Sequence, residues 1–351
     1  MTQAPVAPAN LNQQNALPPS EALMQMLDGH YLSQAIFVAA KLGIADLLKD
    51  GTKSTDELAK VTEVNSQFLY RILRALSSVG IFAEVGDRNF ELTPLAKYLQ
   101  SDVPGSMRLP AILVGEEWHW QAWGNMFNAV KNGTSAFEAK FGTNIVDYFG
   151  QNPQQSKVFF EAMTTYSVIV NNAILEVYDF SAFSKLVDVG GGLGSLLTDI
   201  LKANPQLTGI LLELPPVIER AKQQNHFQTK EISGRYEIVG GDFLESVPSG
   251  GDVYILKQII HNLNNDDAIK LLQNCHDAMS TNGKLLVIDP VIPSSNEPSF
   301  SKLLDLQMMV THGAQVHTAN EFQDILTKTG FQITNIIPTK SPCTIIESVK
   351  K

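Results

Sequence analysis

Hydrophobic positions change their rhythm once along the chain, near residue 183. Before that point apolar residues recur three and four apart, the helical period. Leu23, Met26, Leu27, Ile36 and Phe37 predict a helix over about 21–38, and KLGIADLL follows as a shorter one after a glycine turn. Ser54 or Thr55 is placed to cap DELAKV, and Ser66 to cap a second helix with Phe68, Leu69, Ile72, Leu73 and Leu76 on one face. Gly80 stops that helix. IFAEV, GDR and NFELT then read as a β-hairpin, so the segment predicts a winged-helix module, almost entirely helical.

Residues 107–178 keep the helical spacing but are rich in Trp, Phe, Met and Tyr, as in EEWHWQAWGNMF and FFEAMTTYSVIVNNAILEVY. They read as linking helices whose aromatic residues are chiefly core, with some near a ligand. From Phe183 short apolar strands alternate with helices: KLVDVG, TGILLE, RYEIVGG, DVYILK, KLLVID, then FQITNII and TIIESV. This pattern predicts an α/β fold with a doubly wound, Rossmann-like sheet, closed by a pair that includes an antiparallel strand. The expected organisation is a flexible tail over 1–20, a winged helix over 21–105, linking helices over 106–180 and the sheet domain over 181–351. Ligands of such sheets sit at the carboxyl ends of the strands.

Composition narrows the partners. The formal charge is −10, and residues 21–100 hold ten acidic against eight basic side chains. Only Arg71 and Arg74 stand on the would-be recognition helix, which lacks the basic face a DNA reader needs; dimerisation is the expected role, with a DNA-binding regulator as the competing reading. Neither nucleic acid nor an anionic membrane is an expected partner. MTQAPVAPANLNQQNALPPS contains no Lys or Arg and no apolar core, so no signal peptide is read there, and no stretch approaches the ~20 apolar residues of a membrane span. A cytoplasmic protein is expected. Cys275 and Cys343 fall in a helix and a strand and read as buried thiols. His312 and His317, five apart without neighbouring Cys or carboxylate, do not predict a metal site.

The chemistry gathers at LVDVGGGLGSLL, residues 186–197, where an apolar strand runs into Gly190, Gly191, Gly192 and Gly194 and a helix follows. Glycines there let backbone amides approach a ligand. Ser195 occupies the position where a dinucleotide fingerprint needs Gly or Ala. Nineteen residues past Gly194, Glu213 ends the next strand, where a carboxylate can accept both hydroxyls of a ribose. Asp242 and Phe243 end a third strand and can face an adenine with one polar and one apolar group. The ordered set predicts a nucleoside cofactor.

On these motifs, and over nearly its whole length, the sequence resembles the plant-type small-molecule O-methyltransferases, which include caffeic acid and hydroxyindole O-methyltransferases and many bacterial natural-product enzymes. The resemblance implies S-adenosyl-L-methionine as cofactor, S-adenosyl-L-homocysteine as product, no metal, and a homodimer joined through the N-terminal domain. It puts Asp188 and the four glycines around the methionine and ribose, Glu213 at the ribose, Asp242 and Phe243 at the adenine, and Lys257 close by. His261, just past a strand end in YILKQIIHNL, takes the position of the general base, and Asp289 that of an acidic partner, one methylene shorter than the customary Glu. The second acidic partner is missing, since Val316 stands in its place, and Asn262 replaces a common Asp. Met163, Met308, Met309 and His312 match or adjoin the acceptor pocket, where thioethers suit flat aromatic molecules.

The implied reaction is methylation of a hydroxyl, with a phenol as the expected acceptor. A phenol near pKa 10 and an imidazole near 6.5 differ by about 5 kcal/mol for full proton transfer, a gap that a nearby carboxylate narrows. The reduced acidic set leaves a second expectation open: the same scaffold with altered chemistry, such as decarboxylation, hydroxylation, pericyclic reaction, or C- or N-methylation.

Overall fold

The structure, a computed structural model, describes residues 17–351 except 224–226 and 228. Most of the expected tail, residues 1–16, lies outside the described residues. The described residues form two compact units, divided between Glu117 and Trp118.

In the first unit, α1 (Pro19–Lys41) opens on a proline, which forfeits no helical hydrogen bond at that position, and ends before Gly43, whose φ of 68° turns the chain into α2 (Ile44–Leu47). β1 (Lys53–Ser54) leads into α3 (Thr55–Thr62), which Ser54 and Glu57 close with a reciprocal capping box. α4 (Ser66–Ser78) is capped by Asn65, whose side chain accepts the Phe68 N–H at 3.1 Å. This corrects the expectation for Ser66: the cap needs an extended backbone, which Asn65 has, and Ser66 is already helical. β2 (Phe82–Glu84) and β3 (Asn89–Leu92) complete the wing as a three-stranded sheet ordered β1-β3-β2, so the module is not all helical. Leu58, Leu69, Leu73, Leu76, Phe82 and Phe90 form its core. Arg71 and Arg74 lie over the rings of Phe68 and Tyr70 on their own helix. α5 (Arg108–Gly115) packs along α1 so closely that a Cβ on Gly115 would come within 2.1 Å of Phe37.

The second unit opens with short helices, α6 (Glu117–Gly124), α7 (Met126–Asn132), α8 (Ala136–Phe141) and α9 (Ile145–Gln151), joined by an edge-to-face cluster of Trp118, Phe137, Tyr148 and Phe149. α10 (Pro153–Val177) follows. At 25 residues with a mean hydropathy of 1.2 in its most apolar window, it is long and apolar enough to cross a membrane, contrary to the expectation from sequence. Val170 and Ile174 on it join the core beneath the sheet, while Val168, Ile169 and Val177 are exposed.

That sheet has seven strands in the order β6-β5-β4-β7-β8-β10-β9. They are β4 (Lys185–Val189), β5 (Thr208–Glu213), β6 (Tyr236–Gly240), β7 (Val253–Lys257), β8 (Lys284–Pro290), β9 (Phe331–Pro338) and β10 (Cys343–Lys350). All are parallel to their neighbours except β10, which is antiparallel to both β8 and β9. α11 (Ser195–Ala203), α12 (Pro215–Gln223), α13 (Asn265–Ala278), α14 (Phe300–Thr311) and α15 (Ala319–Lys328) connect them. α10 and α11 cover one face of the sheet and α13 and α15 the other, each over its own apolar cluster. Strand order reverses between β4 and β7, which opens a crevice at their carboxyl ends. Cys275 and Cys343 are buried free thiols, as expected.

Glu347 on β10 is the electrostatic tie of this sheet. It accepts hydrogen bonds from Tyr178 at 2.6 Å, Lys284 at 2.8 Å, Thr334 at 2.8 Å and Asn335 at 2.9 Å. Burial alone would push its carboxyl up, but these donors outweigh it and hold the pKa at about 2. Glu347→Ala is therefore expected to cost about 2–4 kcal/mol, read from the urea midpoint, because four donors lose their acceptor. The folded pKa lies below the ordinary 4.5, so the contribution is complete above that pH and is lost as pH falls toward 2. The gap between variant and parent should close over the same window.

Candidate active site

The crevice between β4 and β7 is lined by the glycine turn. Gly190, Gly192 and Gly194 have φ of 67°, 59° and 78°, where a side chain is strained. A Cβ on Gly191 would lie 2.3 Å from Asp188 and one on Gly194 2.1 Å from Phe227, while Gly192 faces open space. The turn is thus closed on its protein side and bare on its outer side. Gly192 N–H donates to Glu213 Oε2 at 2.9 Å and Leu214 N–H to Oε1 at 2.8 Å, which locks the carboxylate at the end of β5 beside the turn. Burial raises the Glu213 pKa against these two amides. Asp242 is fixed by the Leu244 N–H at 2.8 Å, and Phe243 packs against Gly190.

Among the described residues Asp188 stands out as a poorly satisfied carboxylate. It is fully buried, and neither oxygen has a well-formed hydrogen bond within the described chain. Burial lifts its pKa to about 6, with the Lys257 ammonium opposing and Glu213 adding to the rise. Lys257, at the end of β7, donates to Ser167 Oγ at 3.2 Å and Asn171 Oδ1 at 3.0 Å on α10. Its own pKa is lowered by burial and partly restored by Asp188. Asn171, which sequence reasoning passed over as part of an apolar helix, also donates to Ser195 at 3.2 Å and Asp199 at 3.0 Å on α11. Fully buried, it ties α10, α11 and β7 together. An orphaned buried carboxylate, a locked carboxylate and a glycine turn open on one side fit a cationic, ribose-bearing cofactor.

The loop that carries His261 lies one strand over. After β7, Gln258 takes a left-handed φ of 57°, held by its N–H to Ile288 O at 2.9 Å and by Asn262, which donates to Gln258 O at 2.9 Å. Asn262 therefore has a structural task where an Asp was noted as missing. The turn brings His261 onto Asp289 at the end of β8, with Nδ1 hydrogen-bonded to Oδ1; both residues are buried. Nδ1 thus carries the hydrogen, and Nε2 is the lone pair.

Val316 is buried, and its N–H donates to Asp305 on α14 at 2.8 Å. Two further histidines, His312 and His317, lie close enough to His261 to feel its ring. Burial lowers the pKa of His317, whose ring also senses Asp289 and His261, and burial together with His261 holds His312 at about 4. Met163 shares a face of α10 with Ser167 and Asn171, four and eight residues on, and so lies in the row that meets Lys257. Met308 and His312 are likewise four apart at the end of α14, whereas Met309 points off that row. Among the described residues no group of three His, Cys, Asp or Glu is arranged to hold a metal ion.

A doubly wound sheet closed by an antiparallel seventh strand, with a nucleoside crevice beside a histidine–carboxylate pair, defines a Rossmann-like methyltransferase. The chain belongs to the O-methyltransferase family: residues 123–332 match the O-methyltransferase domain and residues 24–102 the O-methyltransferase dimerisation domain. Phenazine O-methyltransferase PhzM of Lysobacter antibioticus is 41% identical over 337 residues, 96% of this chain and 98% of that protein. Phenazine-1-carboxylate N-methyltransferase of Pseudomonas aeruginosa is 33% identical over 315 residues, 90% of this chain and 92% of that one. The crystal structure of the O-methyltransferase NcsB1 from neocarzinostatin biosynthesis, in complex with S-adenosylmethionine and 2-hydroxy-5-methyl naphthoic acid, superposes with a TM-score of 0.80 at 26% identity, covering 91% of this chain and 96% of that one.

Proposed function

We propose that this chain, as a homodimer joined through its N-terminal domain, methylates a phenolic hydroxyl on a small aromatic acceptor. S-adenosylmethionine, when bound, supplies a methyl group activated by a positively charged sulfur. Asp188, the glycine turn, Glu213, Asp242, Phe243 and Lys257 are the residues assigned to hold it. His261 Nε2 accepts the hydroxyl proton as the acceptor oxygen forms its new bond. Asp289 keeps the ring in that tautomer and balances the positive charge it gains. Met163 and Met308 supply soft apolar surface for a flat ring.

The observation that carries this reading is the His261–Asp289 pair. Its test is incubation with S-adenosylmethionine and a matched phenol and pyridine-type heterocycle, with products identified by mass. The phenol is expected to give its methyl ether and S-adenosylhomocysteine in equal amounts, and S-adenosylhomocysteine formed without the ether would refute the reading. A second reading, N-methylation, draws support from the N-methyltransferase among the similar proteins. A neutral ring nitrogen has no proton to lose, so that reaction should be nearly indifferent to loss of His261.

A further inference from the structure

The last turn of α14 decides which nitrogen of His312 carries its hydrogen. The Thr311 hydroxyl lies 2.7 Å from the Gln307 carbonyl oxygen and 2.8 Å from His312 Nδ1. Two acceptor oxygens that close repel one another unless a hydrogen lies between them, so Thr311 donates its single hydrogen to Gln307. Toward His312 the same hydroxyl can only accept. Nδ1 is therefore the N–H.

The ring is also neutral, because burial and the nearby His261 hold its pKa at about 4. Nε2 is left as a bare lone pair, and no donor among the described residues reaches it. His312 keeps one free nitrogen on a residue that stays partly exposed, close enough to His261 for the two rings to feel one another. His261 has the same arrangement, with Nδ1 on Asp289 and Nε2 open. Two neighbouring imidazoles thus offer a ligand two acceptors and no donor.

We propose that His312 sets acceptor specificity: its Nε2 accepts a hydrogen bond from a second hydroxyl or N–H next to the reacting hydroxyl. The preferred acceptor is then an aromatic ring with two adjacent donors, ortho or peri to one another. This rests on the proposed reaction, in which His261 takes the other donor's proton. A molecule with a single hydroxyl leaves the His312 lone pair stripped of water and unpaired, which a site built for a donor penalises.

The test is calorimetric titration of the S-adenosylhomocysteine-loaded protein with 2,3-dihydroxynaphthalene and with 2-naphthol, which share a skeleton and differ by one hydroxyl. The parent is expected to bind the diol about 10–100-fold more tightly. His312→Phe should bring that ratio within about threefold of one, and His312→Gln, whose side-chain oxygen restores an acceptor, should raise it again; thermal melts establish that both variants fold. A parent ratio near one, a ratio retained in His312→Phe, or binding of neither compound overturns the proposal. Release of S-adenosylhomocysteine from S-adenosylmethionine is followed in parallel. Diol selectivity that depends on His312 without such release supports the His312 assignment and refutes the reaction.

Discussion

His261→Ala is expected to lower turnover of a phenolic acceptor by about 10²–10⁴-fold, the usual worth of a positioned general base. That is roughly 3–5 kcal/mol of barrier. Affinity for S-adenosylmethionine, measured by calorimetry, should stay within about twofold, because the imidazole is bonded to Asp289 and not to the turn around Gly190–Gly194. The pH profile gives the sharper reading. Without an internal base only the ionised phenol attacks, so residual turnover should climb about tenfold per pH unit until the phenol's own pKa near 10. A variant that keeps a tenth of the parent's activity with a flat profile would mean that the proton leaves by another route.

Asp188→Asn is expected to make the ligand-free protein more stable and a poorer enzyme. A carboxyl lifted from 3.8 to about 6 is one whose ionised form the fold disfavours. The penalty sets in as pH rises through that interval and is complete above it, so the side chain lowers stability at neutral pH by about 1–3 kcal/mol. Asparagine removes that penalty, and Lys257 keeps Ser167 and Asn171 as partners. The urea midpoint of the variant should exceed the parent's at pH 7.5, and the gap should shrink toward pH 4. Affinity for S-adenosylmethionine, a cation, should fall at least tenfold, about 1.4 kcal/mol or more. A variant that is less stable at pH 7.5 would show that Asp188 is a structural anchor.

What the sequence disclosed was local or periodic. The glycine turn, Glu213 and Asp289 were legible because each sits at the end of an apolar strand, and strand ends are where this architecture gathers its ligands. Other features depend on partners far along the chain. Asn171 looks like an interruption in an apolar helix until Ser195, Asp199 and Lys257 are folded onto it. The cap of α4 was misread by one residue because Asn65 and Ser66 are both good cap formers, and only the backbone decides between them. α10 passes a membrane criterion by composition, yet Val170 and Ile174 on it are buried in the domain core. The tautomer of His312 has no sequence signal, since it depends on a hydroxyl folded back onto the carbonyl one turn earlier.

Glu213 has a consequence for how the first ligand arrives. Each of its oxygens already accepts one backbone N–H, and each therefore keeps lone-pair capacity for one more donor. A cis-diol arriving there meets a receptor whose rotamer was frozen during folding, so little side-chain entropy remains to be lost on association. With Glu213 assigned to the ribose as proposed, selectivity for two neighbouring hydroxyls would be built before any sugar is present.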